Sequence, residues 1–219
     1  MNNLNNLSSI NSLDKKISSA VIKRLPRYYR FLGELLDNGV TRISSNDLSK
    51  KMDVTASQIR QDLNNFGCFG QQGYGYNVEL LLQEIQQILG LNKAYNLIVL
   101  GAGNLGQALL NYTNFEKRGY CFTGIFDISP KVINTKINGL KVMDITTLPK
   151  FLKTNKVDIA IITVPRSSAT ILCNNITSLG INHIWNFSNI ELKVDENVIV
   201  ENVHLTDSLM TLTYKLNKN

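Results

Sequence analysis

Residues 96–106, NLIVLGAGNLG, run an almost wholly apolar segment straight into a G-x-G-x-x-G motif. Five apolar or neutral residues before the first glycine read as a buried strand, and NLGQALLNY after it reads as a helix. A strand, a glycine turn and a helix in this order define the opening unit of a dinucleotide-binding sheet. Gly101 makes the tight turn, Gly103 lets the backbone approach a pyrophosphate, and Gly106 lets the helix pack closely on the strand. Ala102, Asn104 and Leu105 complete the loop, and the helix N-terminus offers amides and a positive dipole end to phosphates. A second strand, YCFTGIFD (120–127), ends in Asp127, 26 residues after Gly101. A carboxylate there accepts ribose hydroxyls and repels an added phosphate, which favours NAD over NADP, although the spacing exceeds the usual ~20. The competing reading of Asp127 is a helix cap ahead of Pro130.

Further strand candidates follow at KVMD (141–144), VDIAIITV (157–164), INHIWNF (181–187) and ENVIVENVHL (196–205). A helix between the second and third begins near Ser167 and Ser168 and ends near Gly180. Alternating strands and helices predict an α/β fold with a mostly parallel sheet. TDSLMTLTYKL (206–216) predicts a last helix with Leu209, Leu212 and Leu216 as anchors. It covers its own sheet or packs on a second subunit, and the sequence does not choose.

The first third is different. Ile17, Val21, Ile22 and Leu25 give a helical pattern, Pro26 interrupts it or starts a new helix, and the pattern resumes to Asn38-Gly39. Ser44 and Thr55 are N-cap residues for two short helices joined at Asp53-Val54, with Gln58 at the reciprocal capping position. Ile59, Leu63 and Phe66 face inward, which leaves Ser57, Gln58, Arg60, Gln61 and Asn64 as a polar surface. Such a pair resembles a helix-turn-helix. Arginine can bond two acceptors on guanine and glutamine can bond adenine. Gly67, Gly70, Gly73 and Gly75 with Phe69, Tyr74 and Tyr76 then predict a hairpin, the wing of a winged helix. The candidate DNA-binding set is Arg24, Arg27, Ser57, Gln58, Arg60, Gln61, Asn64, Gln72 and Tyr74. Asn77 caps a further helix ending at Gly90. Predicted domains are an arm over 1–13, a winged-helix domain over 14–91, a Rossmann-type domain over 92–204 and a C-terminal helix and tail over 205–219.

Charge supports the division. Residues 15–60 hold ten Lys/Arg against four Asp/Glu, whereas residues 91–219 hold thirteen against nine over a far longer span. A densely basic front suits a polyanion. Three scattered cysteines without a CxxC pair and two histidines give no metal site, and burial is the expected state of each cysteine. Without a visible signal peptide or a run of 18 apolar residues, a reducing cytoplasm is the economical expectation. The alternative function is an NAD-dependent oxidoreductase with an accessory front domain. It lacks support: His183 falls in a strand, His204 is only slightly better placed, and no Tyr-x-x-x-Lys or His–Asp pairing stands out.

RLPRYYRFL (24–32), RISSNDLSKKMDVTASQIRQDLNNFG (42–67), GYGY (73–76), GAGNLGQALLNY (101–112), IFD (125–127), TVPR (163–166) and GINHIWNF (180–187) together resemble the Rex family of redox-sensing transcriptional repressors, over residues 14–216. The resemblance implies a homodimer with an exchanged last helix inserted between the partner's two domains. It implies binding to A·T-rich inverted-repeat double-stranded DNA when NADH is low, release when NADH binds and closes the dimer, and control of genes for NADH reoxidation, fermentation or respiration. It places Arg60 on DNA, Tyr74 in the wing, Gly101, Gly103 and Gly106 on the pyrophosphate, Asp127 on the adenosine ribose, and Thr163, Val164 and Pro165 on the cofactor side. Arg30, Tyr112 and His204 fall at switch positions. Two residues depart from many relatives: Gln61 stands for Lys, and His204 for an Asp that pairs with the switch Arg and Tyr. The first implies an altered operator preference; the second implies altered switch wiring, including pH dependence near the ordinary histidine range.

Overall fold

The computed structural model describes residues 17–65, 70–71 and 74–218. The predicted arm over 1–13 and Phe66, Gly67, Cys68, Phe69, Gln72 and Gly73 lie outside the described residues. The chain divides into two compact units that meet in sequence at Asn92 and Lys93.

The first unit runs α1 (Ser19–Asp37), β1 (Arg42–Ile43), α2 (Ser45–Met52), α3 (Ala56–Asn64), β2 (Gly70–Gln71), β3 (Gly75–Asn77) and α4 (Val78–Ile88). β1, β3 and β2 form a small antiparallel sheet in that order. Gly75 holds φ +72, and a Cβ there would come within 2.6 Å of the Ile43 carbonyl oxygen, so glycine lets the wing strand lie against β1. Leu25, Tyr28 and Leu32 of α1, Leu48 and Met52 of α2, Ile59 and Leu63 of α3, and Leu81 and Ile85 of α4 form one core. Pro26 neither interrupts nor starts a helix: α1 continues through it. Proline removes one backbone donor at a cost of about 3 kcal/mol in a helix interior. Here Pro26 lies on the exposed side, and burial of Leu25, Tyr28 and Leu32 on the other side offsets that cost. Ile22, expected to face inward with Val21, is about half exposed.

Inside this unit Asp62 of α3 is fully buried. Arg24 of α1 grips it with two bonds of 2.7 and 2.8 Å, the Tyr28 hydroxyl donates at 2.9 Å, and Gln58 Nε2 donates at 2.8 Å. Burial alone would push the Asp62 carboxyl up; the bonds from Arg24, Gln58 and Tyr28 outweigh it and hold the group below the usual carboxylate range. Burial and the bond to Asp62 push the Tyr28 phenol above its ordinary range.

The second unit is a seven-stranded sheet of β4 (Tyr95–Leu100), β5 (Tyr120–Asp127), β6 (Lys136–Ile137), β7 (Leu140–Asp144), β8 (Ile159–Ile162), β9 (His183–Asn186) and β10 (Ile199–Asn202). Their order is β10-β9-β8-β4-β5-β7-β6, and every pair is parallel except β6 with β7. The chain winds outward from β4 through β5 and β7, then returns to β8 and winds the other way. That reversal defines the Rossmann arrangement, with a crevice at the carboxyl ends of β4 and β8. Alternate residues of β4 serve opposite faces. Ile98 and Leu100 pack with Leu148 of α6 (Leu148–Leu152) and with Ala169, Cys173 and Ile176 of α7 (Arg166–Ser178). Leu97 and Val99 pack with Leu110 of α5 (Asn104–Leu110). On this second face the Trp185 ring meets Phe187 at 4.7 Å and Phe115 at 5.7 Å between centroids. The sequence reading missed β6, which turns into β7 through Asn138-Gly139, both at positive φ. Cys173 is buried, as expected, and burial raises its thiol pKa, but Cys121 is exposed on β5. The last helix, α8 (Leu205–Leu216), buries none of its side chains.

Because Asp62 is held ionised in the folded chain, the folded state binds fewer protons than the unfolded one between its depressed pKa and about pH 4. Its contribution is complete above that range and is lost as pH falls through the folded pKa. Asp62→Asn is expected to lose on the order of 2 kcal/mol at neutral pH and to converge on the wild type in acid. Urea unfolding followed by circular dichroism from pH 3 to 7 measures this; a difference independent of pH would refute the assignment.

Candidate functional site

In the first unit, three caps shape the helix pair. Ser44 accepts the Asp47 amide at 3.0 Å to start α2, Asp53 ends it in the left-handed region at φ 51, and Thr55 accepts the Gln58 amide at 3.1 Å to start α3. Gln58 does not close a reciprocal cap, because its side chain turns along the helix to Asp62. With Ile59 and Leu63 facing inward, Ser57, Arg60, Gln61 and Asn64 are all exposed. Arg60 Nη1 donates to Ser45 Oγ at 2.8 Å.

The other members of the predicted set divide. Arg24 and Gln58 are committed to Asp62 inside the unit, so their donors serve the α1–α3 joint. Arg24, Arg27 and Arg30 stand three apart along α1, but the one buried acid that recruits Arg24 stands 38 positions away. Arg27 and Arg30 are exposed, their guanidinium carbons 5.9 and 5.4 Å from the Phe31 ring centroid. Tyr74, at the wing, is 70% exposed. Gln72 lies outside the described residues.

In the second unit, Gly101 sits at φ +110, where a Cβ would press within 2.9 Å of Thr163 Oγ1. At Gly106 a Cβ would run into the Gly101 carbonyl oxygen. These two glycines bring α5 against β4 and the end of β8. Gly103 differs: a Cβ there meets nothing within 4 Å. It is exposed and borders a cavity of about 420 Å³, lined also by Gly101, Asp127, Thr163, Val164 and Pro165. Thr163 Oγ1 lies 2.8 Å from the Gly101 oxygen and 3.1 Å from the Leu100 oxygen, tying the two loops of the crevice.

Asp127 is part of that scaffold. One carboxylate oxygen accepts the Ala102 amide at 2.6 Å and the other the Ser129 amide at 2.8 Å. Each oxygen keeps a further acceptor position for a ribose hydroxyl. Ala102 is buried, and its carbonyl accepts from Gln107 Nε2 at 2.8 Å, so it shapes the loop from behind. Asn104 and Leu105 open α5, where amides have no intrahelical acceptor by position. The sequence reading missed Ile128, Ile145 and Ile171, which line the same cavity. Ile128 is 75% exposed directly after Asp127; an apolar residue at a strand end reads as core unless the crevice is known. The open Cβ position at Gly103, the spare acceptors on Asp127 and this apolar wall fit a nucleotide's phosphate, sugar and base in turn.

Tyr112 is exposed, edge-on to Phe115 at 5.1 Å, and its hydroxyl accepts from Asn114 Nδ2 at 3.0 Å. His204 holds the N-cap position of α8, and its Nδ1 lies 3.2 Å from Asn189 Oδ1. Among the described residues, no group of three His, Cys, Asp or Glu could hold a metal, and no helix is long and apolar enough to cross a membrane.

Fold and sites define a regulator type: a winged-helix DNA-binding domain joined to a Rossmann-like nucleotide-binding domain. Residues 16–64 match the family described as "Putative DNA-binding protein N-terminus", and residues 92–190 match "CoA binding domain". CoA and NAD share an ADP half. The redox-sensing transcriptional repressor Rex of Thermoanaerobacter pseudethanolicus is 59% identical over 203 residues, 93% of this chain and 91% of that protein. The crystal structure of RSP in complex with β-NAD+ and operator DNA is 58% identical with TM-score 0.86, covering 92% of this chain and 93% of that one. The structure of RSP with β-NADH is 55% identical with TM-score 0.86, covering 93% and 95%. The chain belongs to the Rex family of redox-sensing transcriptional repressors.

Gly106→Ala is expected to destabilise the second unit by about 1–3 kcal/mol through the clash with Gly101, whereas Gly103→Ala leaves stability within ~0.5 kcal/mol. Thermal unfolding followed by Trp185 fluorescence separates the two. Equal losses would mean that the two glycines do not divide their roles in this way.

Proposed function

We propose that this chain represses transcription under the control of the NADH/NAD+ ratio, as a regulator and not an enzyme, in the cytoplasm. It holds operator DNA when NADH is scarce and leaves it when NADH binds, so genes for NADH reoxidation, fermentation or respiration are its targets. One observation carries the reading: a single chain joins an exposed Ser57/Arg60/Gln61/Asn64 helix face to a nucleotide crevice built on Gly101, Gly103 and Asp127.

On the DNA side, Arg60 and Gln61 read base edges in the major groove, Asn64 and Ser57 support the register, and Tyr74 extends the wing toward the backbone. Arg27 contributes phosphate attraction. Arg24 and Gln58 act from behind by fixing α3. On the nucleotide side, the amides at Gly103, Asn104 and Leu105 meet the pyrophosphate, Asp127 the adenosine ribose, and Thr163, Val164 and Pro165 the far wall of the crevice. The bound dinucleotide supplies the signal, through the charge and planarity of its nicotinamide.

The working unit is a homodimer on a two-fold-symmetric, A·T-rich inverted repeat with half-sites a helical turn or a multiple apart. Support comes from α8: Leu205, Leu209, Leu212 and Leu216 recur at helical spacing yet all stand exposed in the single chain. Inserting α8 into a partner covers that stripe. Arg30, Tyr112 and His204 form the switch, with His204 in place of an acidic partner. A ligand moves a two-state equilibrium only by its differential affinity. A swing from ~1% to ~99% needs about 10⁴-fold in total, or roughly 100-fold at each of two coupled sites.

The test is fluorescence anisotropy of an A·T-rich inverted-repeat duplex at fixed salt, with NADH and NAD+ titrated separately. NADH is expected to release the DNA and NAD+ to leave it bound. Arg60→Ala is expected to lose specific binding by a factor of ten or more with NADH affinity intact, since a bidentate base contact is worth about 1–3 kcal/mol. Gly103→Val is expected to keep DNA and ignore NADH. Equal release by both forms of the dinucleotide would end the redox-sensing reading.

A further inference from the structure

Arg60 is the most exposed to error of the base-reading groups. Arginine has many rotamers, and a guanidinium reads guanine only when its fork lies in the plane of the base edge. In this structure the side chain is exposed but has a partner. Its Nη1 donates to Ser45 Oγ at 2.8 Å, across the turn from α3 to the first residue of α2. Arg60 is thus tied to the start of α2. Guanidinium has five N–H donors, so one bond to Ser45 leaves a fork free for DNA. A side chain already restrained gives up less rotamer entropy on binding than a free one.

We infer that Ser45 is a positioning residue for Arg60, and through it a determinant of operator selectivity. The inference rests on the reading of α3 as the DNA-recognition helix. Ser45 does not serve the fold as a cap: Ser44 holds that post for α2. Its hydroxyl acts on the direction of the Arg60 fork. Non-specific contact with phosphates needs positive charge but no fixed fork, so loss of the hydroxyl separates discrimination from affinity.

The experiment uses the full-length protein and a duplex library with randomised inverted-repeat half-sites. Selection on the wild type and on Arg60→Ala identifies the base pairs that Arg60 reads. Anisotropy on the best duplex, on single-base variants at those pairs and on an unrelated duplex then compares Ser45→Ala, Ser45→Thr and Ser45→Val. Threonine and valine have the same shape and differ by the hydroxyl, and circular dichroism melting confirms that each variant folds. Ser45→Ala and Ser45→Val are expected to lower the preference at the Arg60-read pairs about fivefold, the scale of one hydrogen bond. Affinity for the unrelated duplex and the salt slope should stay at wild-type values, and Ser45→Thr should restore the preference. Retained discrimination in the alanine and valine variants, equal losses on specific and unrelated DNA, or no rescue by threonine overturns the inference. A wild type that selects no sequence, or an Arg60→Ala variant that selects the same one, instead removes the recognition-helix reading beneath it.

Discussion

A buried carboxylate governs what the first unit can do. Asp62 sits on the inner side of the helix whose outer side carries the exposed polar set, and it is saturated by donors from Arg24, Tyr28 and Gln58. An isolated ionised group at that depth would be costly. With a bidentate arginine and two further donors it becomes a fixed joint that specifies one orientation of α3 on α1, where apolar contacts alone tolerate sliding. The exposed set of Ser57, Arg60, Gln61 and Asn64 inherits its direction from that joint.

The second unit solves a similar problem with the opposite donors. Asp127 takes two backbone amides, one from the glycine loop at Ala102 and one from its own strand end at Ser129. The carboxylate is therefore part of the crevice wall before any ligand arrives. Thr163 completes the wall from the β8 side by reaching the carbonyls of Leu100 and Gly101. In both units an aspartate aligns a functional surface. The difference is that Asp62 is sealed, whereas Asp127 keeps acceptor capacity facing the cavity.

Much of this was readable from sequence where one residue type has one physical use. Gly101 and Gly106 are glycines that the backbone itself requires, and Ser44, Thr55 and Asn77 cap the helices they precede. What escaped depended on partners far along the chain. Nothing in the Arg24, Arg27, Arg30 spacing says that only the first meets a buried acid. Gln58 looked like a capping residue because Thr55 stands three before it, yet Asp62 one turn later outcompetes that geometry. Ile128 was invisible as a wall residue, since an isoleucine after a strand is core by default. Asn138-Gly139 was a local signal that passed unread, a two-residue turn between Ile137 and Leu140.

The aromatic cluster around Trp185 gives the molecule an optical property of its own. The chain has one tryptophan, and it lies in the second unit, stacked edge-on with Phe115 and Phe187. Its emission therefore reports on the folding of the nucleotide-binding half. Reduced nicotinamide absorbs in the region where indole emits, and the oxidised ring does not. The one indole and the crevice thus share a sheet, and a reduced nicotinamide is a spectral acceptor for that indole whereas the oxidised ring is not.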